Sequence, residues 1–157
     1  MKDFWVYSRH LIEATAAHDV SHVIVSITTV SSDRAKLKAN ELTAGVLRLS
    51  FVDFDAAVHV DSDTIKGITE DMLFSDHQAK QIAEFVFKHK DVDRFIVHCD
   101  AGRSRSPGVA AAVSKIITGE DKEFFYRYKP NIRVYRKTLN ACNDIFNKEE
   151  DGKEKLD

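Results

Sequence analysis

Residues 95–108 constrain this chain more than any other stretch. Phe95-Ile96-Val97 is a short apolar run with the composition of a buried strand. His98 and Cys99 follow, and Asp100 to Arg105 form a tight polar loop with Gly102 inside it. Ser106-Pro107 then reads as a helix start, with Ser106 as N-cap and Pro107 at the first helical position. A strand passing through a tight loop into a helix makes an anion cradle. Free backbone N–H groups and the positive end of the helix dipole converge there. Cys99 faces that cradle as a candidate thiolate nucleophile. Arg105 can return to the same anion and grip it bidentately.

The remaining segments supply a frame for this loop. Phe4 to Tyr7 predicts a strand, and Arg9 to His18 a helix with Leu11, Ile12, Thr15 and Ala16 on one side. His22 to Ile27 is β-branched and almost wholly apolar, which predicts a strand buried on both faces of a parallel sheet. Residues 28–44 are polar and read as a loop. Val46 to Phe51 alternates as a strand, and Asp53 and Asp55 lie just past its end. Residues 56–74 form a long acidic connection, the length of a lid or substrate loop. Ser75 to Gln78 matches a capping box and opens a helix with Ala79, Ile82, Ala83 and Val86 inward.

Beyond the loop, a helix from Pro107 to Thr118 should stop at Gly119. A short aromatic helix from Asp121 to Tyr128 is broken by Lys129-Pro130-Asn131. A last helix covers about Val134 to Asn147. The expected architecture is α/β: a mostly parallel central sheet of about four to five strands, flanked by helices, with a helical C-terminal portion. Residues 1–147 are expected to form one domain, and 148–157 a charged tail that frays.

Composition narrows the partners. The 157 residues carry 23 Lys plus Arg against 25 Asp plus Glu, a formal net charge of −2. That balance predicts no nucleic-acid binding, so any phosphate affinity is local. No apolar stretch reaches membrane-spanning length, and the N-terminus lacks a signal-peptide core. Two cysteines, Cys99 and Cys142, make no disulfide framework, and a reducing cytoplasm is the expected location. A monomer is expected. No His or Cys cluster has metal-ligand spacing, so neither metal nor cofactor is predicted.

A thiolate at an anion site suits attack on phosphorus. Loop N–H groups from Asp100 to Ser104 and the Arg105 guanidinium would hold the phosphoryl group and stabilise its transition state. A phosphocysteine would form and must then be hydrolysed. The cycle needs a general acid for the leaving oxygen and a hydroxyl that stabilises the departing thiolate. Ser106 is placed for the second role.

The string His98-Cys99-x-x-Gly102-x-x-Arg105-Ser106 resembles the H-C-x2-G-x2-R-[S/T] signature of cysteine-dependent protein tyrosine phosphatases, closest to the compact dual-specificity-like branch of bacterial or phage type. The resemblance extends over most of residues 4–146, including Lys129-Pro130-Asn131. It implies a phosphatase fold and a phosphotyrosine or dual-specificity activity. It also implies phosphate binding by Asp100, Ala101, Gly102, Arg103, Ser104 and Arg105, and a general acid after the preceding strand. Leu49-x-Phe51-x-Asp53 fits that last pattern, so Asp53 is the candidate acid and Asp55 its alternative. The connection from Asp53 to Cys99 is longer than in that branch, which leaves Asp61, Asp63, Asp71 and Asp76 open.

Other readings compete. His98 is a loop support rather than a base, because adjacent strand residues point to opposite faces. Arg103 is either a substrate contact or a solvated rim residue, and Cys142 lies on an apolar helical stripe. Asp53-Phe54-Asp55 begins like the D-x-D of haloacid-dehalogenase-like phosphatases, but Ala57 breaks that pattern. Asp61-Ser62-Asp63 begins like a calcium loop and fails at Ile65. A rhodanese-like sulfurtransferase also uses a loop cysteine, and a phosphate-binding pseudo-phosphatase would use the same cradle without turnover. Asp100 beside the cysteine disfavours a highly anionic headgroup, so a phosphorylated protein or small phosphate ester is expected.

Overall fold

The computed structural model describes residues 1–55 and 67–156. Among the described residues four strands form one parallel sheet: β1 (Asp3–Ser8), β2 (His22–Thr28), β3 (Thr43–Ser50) and β4 (Arg94–Cys99), in the order β1-β4-β2-β3. The two central strands are the two most apolar runs, as burial on both faces requires. The first, β1, sits at an edge and pairs with β4 in register, Asp3 opposite Arg94 through Ser8 opposite Cys99.

One sheet face carries the main core. Val23, Val25, Ile27, Phe95 and Val97 pack there with Phe51, Phe74 and the inward sides of the long helices. These are α2 (Asp76–Lys88), α3 (Arg105–Thr118) and α5 (Ile132–Leu156), with the short α4 (Lys122–Arg127) against α3. Ile24 and Ile96 face the other way and are covered by Ile12 of α1 (Arg9–Ala14), Tyr7 and Leu37.

Several boundaries differ from the sequence reading, each for a local reason. The first helix stops at Ala14, because Thr15 turns extended and its N–H closes on the Ile12 carbonyl. His18 then folds back onto the Trp5 and Tyr7 rings. The third helix begins at Arg105 with Ser104 in the N-cap place, so Ser106 is not the cap. Its hydroxyl is turned to Cys99 instead, and Pro107 still falls where no intrahelical N–H is needed. The last helix starts at Ile132, since the Asn131 Oδ1 accepts the Val134 N–H at 3.0 Å, and it runs on through Leu156.

Two predicted terminators act as expected. Ser75 and Gln78 form a reciprocal capping box on α2. Gly119 ends α3 in the left-handed region at φ +85°. In the long connection, a 3-10 turn at Glu70–Met72 lies beside the chain after β3, with the Val52 N–H donating to the Met72 carbonyl. Asp61, Asp63 and Ile65 lie outside the described residues.

Candidate active site

Cys99 ends β4, an interior strand, so it emerges at the carboxyl edge of the parallel sheet, where such folds place ligands. The loop after it folds back tightly because Gly102 adopts φ +69°. A Cβ there would stand 2.7 Å from the Ser8 nitrogen and 2.9 Å from the Tyr7 carbonyl carbon. The end of β1 is thus the seat of the loop. The Arg9 N–H adds a bond to the Asp100 carbonyl at 3.1 Å.

Among the described residues, two groups are within hydrogen-bond reach of the buried Cys99 Sγ. The Ser106 hydroxyl is 3.0 Å away and the Gly102 N–H donates at 3.3 Å. Both can donate to a thiolate. His98 points to the other side, as strand alternation demands. Its Nε2 meets the Ser26 hydroxyl at 2.6 Å and its Nδ1 the Cys99 carbonyl at 3.3 Å. Burial pushes the His98 pKa down, although the bond to the Cys99 carbonyl opposes the shift. A neutral imidazole on these partners steadies the strand end and has no contact with Sγ.

Arg105 opens α3 and is only 5% exposed. Its Nη1 donates to the Phe51 carbonyl at 2.8 Å and the Thr29 hydroxyl at 3.2 Å, and its Nη2 donates to Asp100 Oδ2 at 3.0 Å. Its Nε is buried and has no hydrogen-bond partner among the described residues. A buried unpaired donor costs about 1–3 kcal/mol, and more when charged, so this N–H marks a place for an incoming acceptor. Asp100 Oδ2 also accepts the Thr29 hydroxyl at 2.6 Å. Partial burial works to raise the Asp100 carboxyl. Hydrogen bonds from Thr29 and Arg105 and the arginine charge outweigh it together and hold the group below the usual carboxylate range.

Asp53 lies against the same loop. Its Oδ1 accepts the Ser104 hydroxyl at 2.8 Å and the Asn131 amide at 2.9 Å. Asp55 is turned elsewhere. It is buried, and its Oδ2 accepts the Ile132 N–H at the start of α5, 2.8 Å away. Asp71 is bonded by Thr69, and Asp76 by Lys137 at the foot of α2. Ala101 and Arg103 are exposed on the outside of the loop. The Arg103 and Ser104 carbonyls accept N–H groups from Lys129 and Asn131.

The structure therefore brings Cys99, Gly102, Ser104, Arg105, Ser106 and Asp53 into one site. It adds three groups that the sequence reading missed: Thr29, the Phe51 carbonyl and Asn131. Only the Lys-Pro-Asn break hinted at the last. Among the described residues no cluster is disposed to hold a metal ion. No described helix is long and apolar enough to cross a membrane. Cys142 is buried in α5, where burial pushes its thiol up to about 12.

Strand, loop and helix together define a parallel α/β domain with a thiol and a guanidinium on one anion-shaped loop. No family model matches the sequence, and no curated protein is significantly similar to it. Solved structures are similar in fold. PTPMT1 is 16% identical over 85% of this chain and 82% of its own, with a TM-score of 0.48. Tk-PTP in its active form is 15% identical over 92% of each chain, with a TM-score of 0.49. The human tyrosine phosphatase-like serine/threonine/tyrosine-interacting protein is 18% identical over 81% of this chain and 78% of its own, with a TM-score of 0.44.

Proposed function

We propose that this chain is a metal-independent phosphomonoester hydrolase of the protein tyrosine or dual-specificity type, working through a phosphocysteine. Cys99 Sγ attacks phosphorus, forming the S–P bond as the ester P–O bond breaks. Asp53 gives its proton to the leaving oxygen. Water then attacks the phosphocysteine while Asp53 takes up a proton, and the S–P bond breaks. Ser106 stabilises the thiolate as it leaves, from its position 3.0 Å from Sγ. Arg105 and the loop N–H groups hold the equatorial oxygens throughout.

One observation carries this reading. The loop that turns two donors onto Cys99 Sγ leads straight into Arg105, whose buried Nε has no partner among the described residues. A sulfurtransferase needs neither the hydroxyl on the sulfur nor a carboxylate bonded to the loop. Asp100 is paired with Arg105, so the site has directed donors but little net positive charge. That combination favours a single phosphoryl group, on a protein or a small ester, over a polyanionic headgroup. A monomer in a reducing, cytoplasmic setting suits a chain whose two cysteines are both free.

The test is hydrolysis of p-nitrophenyl phosphate beside sulfur transfer from thiosulfate, for wild type and Cys99→Ser. Phosphate release in wild type, abolished in the variant while phosphate binding persists, is the expected result. Dominant sulfur transfer, or phosphate release surviving in Cys99→Ser, overturns the proposal.

A further inference from the structure

Arg105 is held by more than its own loop. An arginine side chain has five N–H donors in a fixed planar fork. The two on Nη1 go to the Phe51 carbonyl and the Thr29 hydroxyl, and one on Nη2 goes to Asp100 Oδ2. Thr29 and Asp100 are themselves bonded at 2.6 Å, so they lie together off the terminal edge of the guanidinium, bridging Nη1 and Nη2. The donors left over are the Nε–H and the second Nη2 N–H. These form the side edge, the fork that matches two oxygens of a phosphoryl group.

We infer that Asp100, bridged to Thr29, is the positioning residue that clamps the terminal edge of Arg105 and leaves its side edge open for an anion. The inference rests on the phosphatase reading given above. It assigns a role to the residue immediately after the nucleophile that charge alone would misassign. A carboxylate beside an anion site would be expected to repel the substrate. Here Oδ2 is turned onto Thr29 and Arg105, in the ion pair with Nη2, so the guanidinium offsets its charge. The clamp also spans three segments: the end of β2 through Thr29, the end of β3 through Phe51, and the loop through Asp100. Arg105 therefore meets the anion in a preset orientation rather than searching for it.

The experiment compares wild type, Asp100→Ala, Asp100→Asn and Thr29→Val. It reads kcat and KM with p-nitrophenyl phosphate, inhibition by inorganic phosphate, and phosphate binding in a Cys99→Ser background by calorimetry. Thermal midpoints check folding. Asp100→Ala should lower kcat/KM and weaken phosphate inhibition, each by about tenfold or more, since misplacing a positioned group by about 1 Å costs up to about a hundredfold. Asp100→Asn keeps an acceptor oxygen in place and should recover most of that loss. Thr29→Val should fall between them, and adding it to Asp100→Ala should cost little more, because the two act as one unit.

Phosphate bound as tightly or more tightly by Asp100→Ala overturns the inference, since Asp100 would then be a competitor for Arg105. So does an Asp100→Asn variant as damaged as Asp100→Ala, because the charge and not the clamp would then matter. Wild type that is active and indistinguishable from Asp100→Ala sinks the clamp alone. Wild type that hydrolyses no phosphate ester, with no phosphate bound by Cys99→Ser, sinks the phosphatase reading and the clamp with it.

Discussion

The Asn131 side-chain amide donates to Asp53 Oδ1 at 2.9 Å and to the Phe54 carbonyl at 2.9 Å. The same residue, 1% exposed, caps α5 through its Oδ1 and donates its backbone N–H to the Ser104 carbonyl. One buried side chain thus ties the candidate acid to the thiol loop and to a helix start. Asn131→Ala should destabilise the fold by about 2–4 kcal/mol, combining a lost cap with unpaired buried groups. In the folded fraction it should slow turnover more for poor leaving groups than for good ones. Chemical denaturation and a leaving-group series check the two effects separately.

Asp53 and Asp55 are two residues apart and face different tasks. Asp53→Asn should lower kcat by about a hundredfold or more for alkyl phosphates, the usual range for losing a general acid. It should do less for p-nitrophenyl phosphate, whose leaving group needs little protonation. Asp55→Asn should instead lower the melting temperature, because it weakens the carboxylate that caps Ile132. The opposite assignment of losses would move the acid to Asp55.

In the proposed mechanism Ser106 acts after the first chemical step, from its place 3.0 Å from Cys99 Sγ. With a good leaving group, Ser106→Ala should form the phosphocysteine at nearly the normal rate and hydrolyse it slowly. Rapid-mixing kinetics should then show a burst of p-nitrophenol followed by a steady rate about ten- to a hundredfold below wild type. A proportional fall in both phases would place Ser106 in the first step instead.

Gly102 admits no side chain. Gly102→Ala places a Cβ in the left-handed region and 2.7 Å from the Ser8 nitrogen, against backbone that has no flexible end to yield. The variant should lose at least about 1–2 kcal/mol from the backbone conformation alone, and its activity with it. Gly119→Ala shares the positive φ but meets nothing within 4 Å. It should keep full activity and lose stability only, which makes it the control.

His98 sets a pH dependence of stability. Burial holds its folded pKa below the ordinary value of 6.5. Once the pH falls below that value, the unfolded chain binds a proton that the folded chain refuses. The contribution of His98 is therefore fully present well above 6.5 and is lost as pH falls through 6.5 toward the lower folded value. His18 and His89 are shifted down, also chiefly by burial, and add to the same slope. Urea midpoints between about pH 7 and pH 5 should fall in wild type, and less steeply in His98→Gln.

How much of this could be read from residues alone depends on the range of the interaction. Local devices were legible: the Ser75 capping box, the Gly119 stop, the apolar β2 and β4 runs, and the strand–loop–helix around Cys99. Each is decided within a few neighbours by propensity and periodicity. The N-terminus of α3 was misplaced because Ser106 suits both a cap and a sulfur contact, and only the fold decides between them. Thr29 and Asn131 were missed for a different reason. They meet Arg105 and Asp53 across 76 and 78 positions; nothing local distinguishes Thr29 from an ordinary loop residue, and the Lys129-Pro130-Asn131 break marks a turn but not its partner. The orientation of Asp100 was open for the same reason, since it is fixed by Thr29, 71 positions away.

The edge position of β1 has a consequence for how the domain comes together. Its partner is β4, and the Asp3–Arg94 pair that begins the register closes a span of 91 positions. The seat beneath Gly102 belongs to β1, while the thiol belongs to β4. Loop closure over such a span is entropically slow compared with helix formation or local turns. The contact that seats the loop after Cys99 on β1 is therefore expected to form late in folding. A chain that has collapsed around β2, β3 and the helices still lacks the surface, Tyr7 and Ser8, on which the loop at Gly102 is seated.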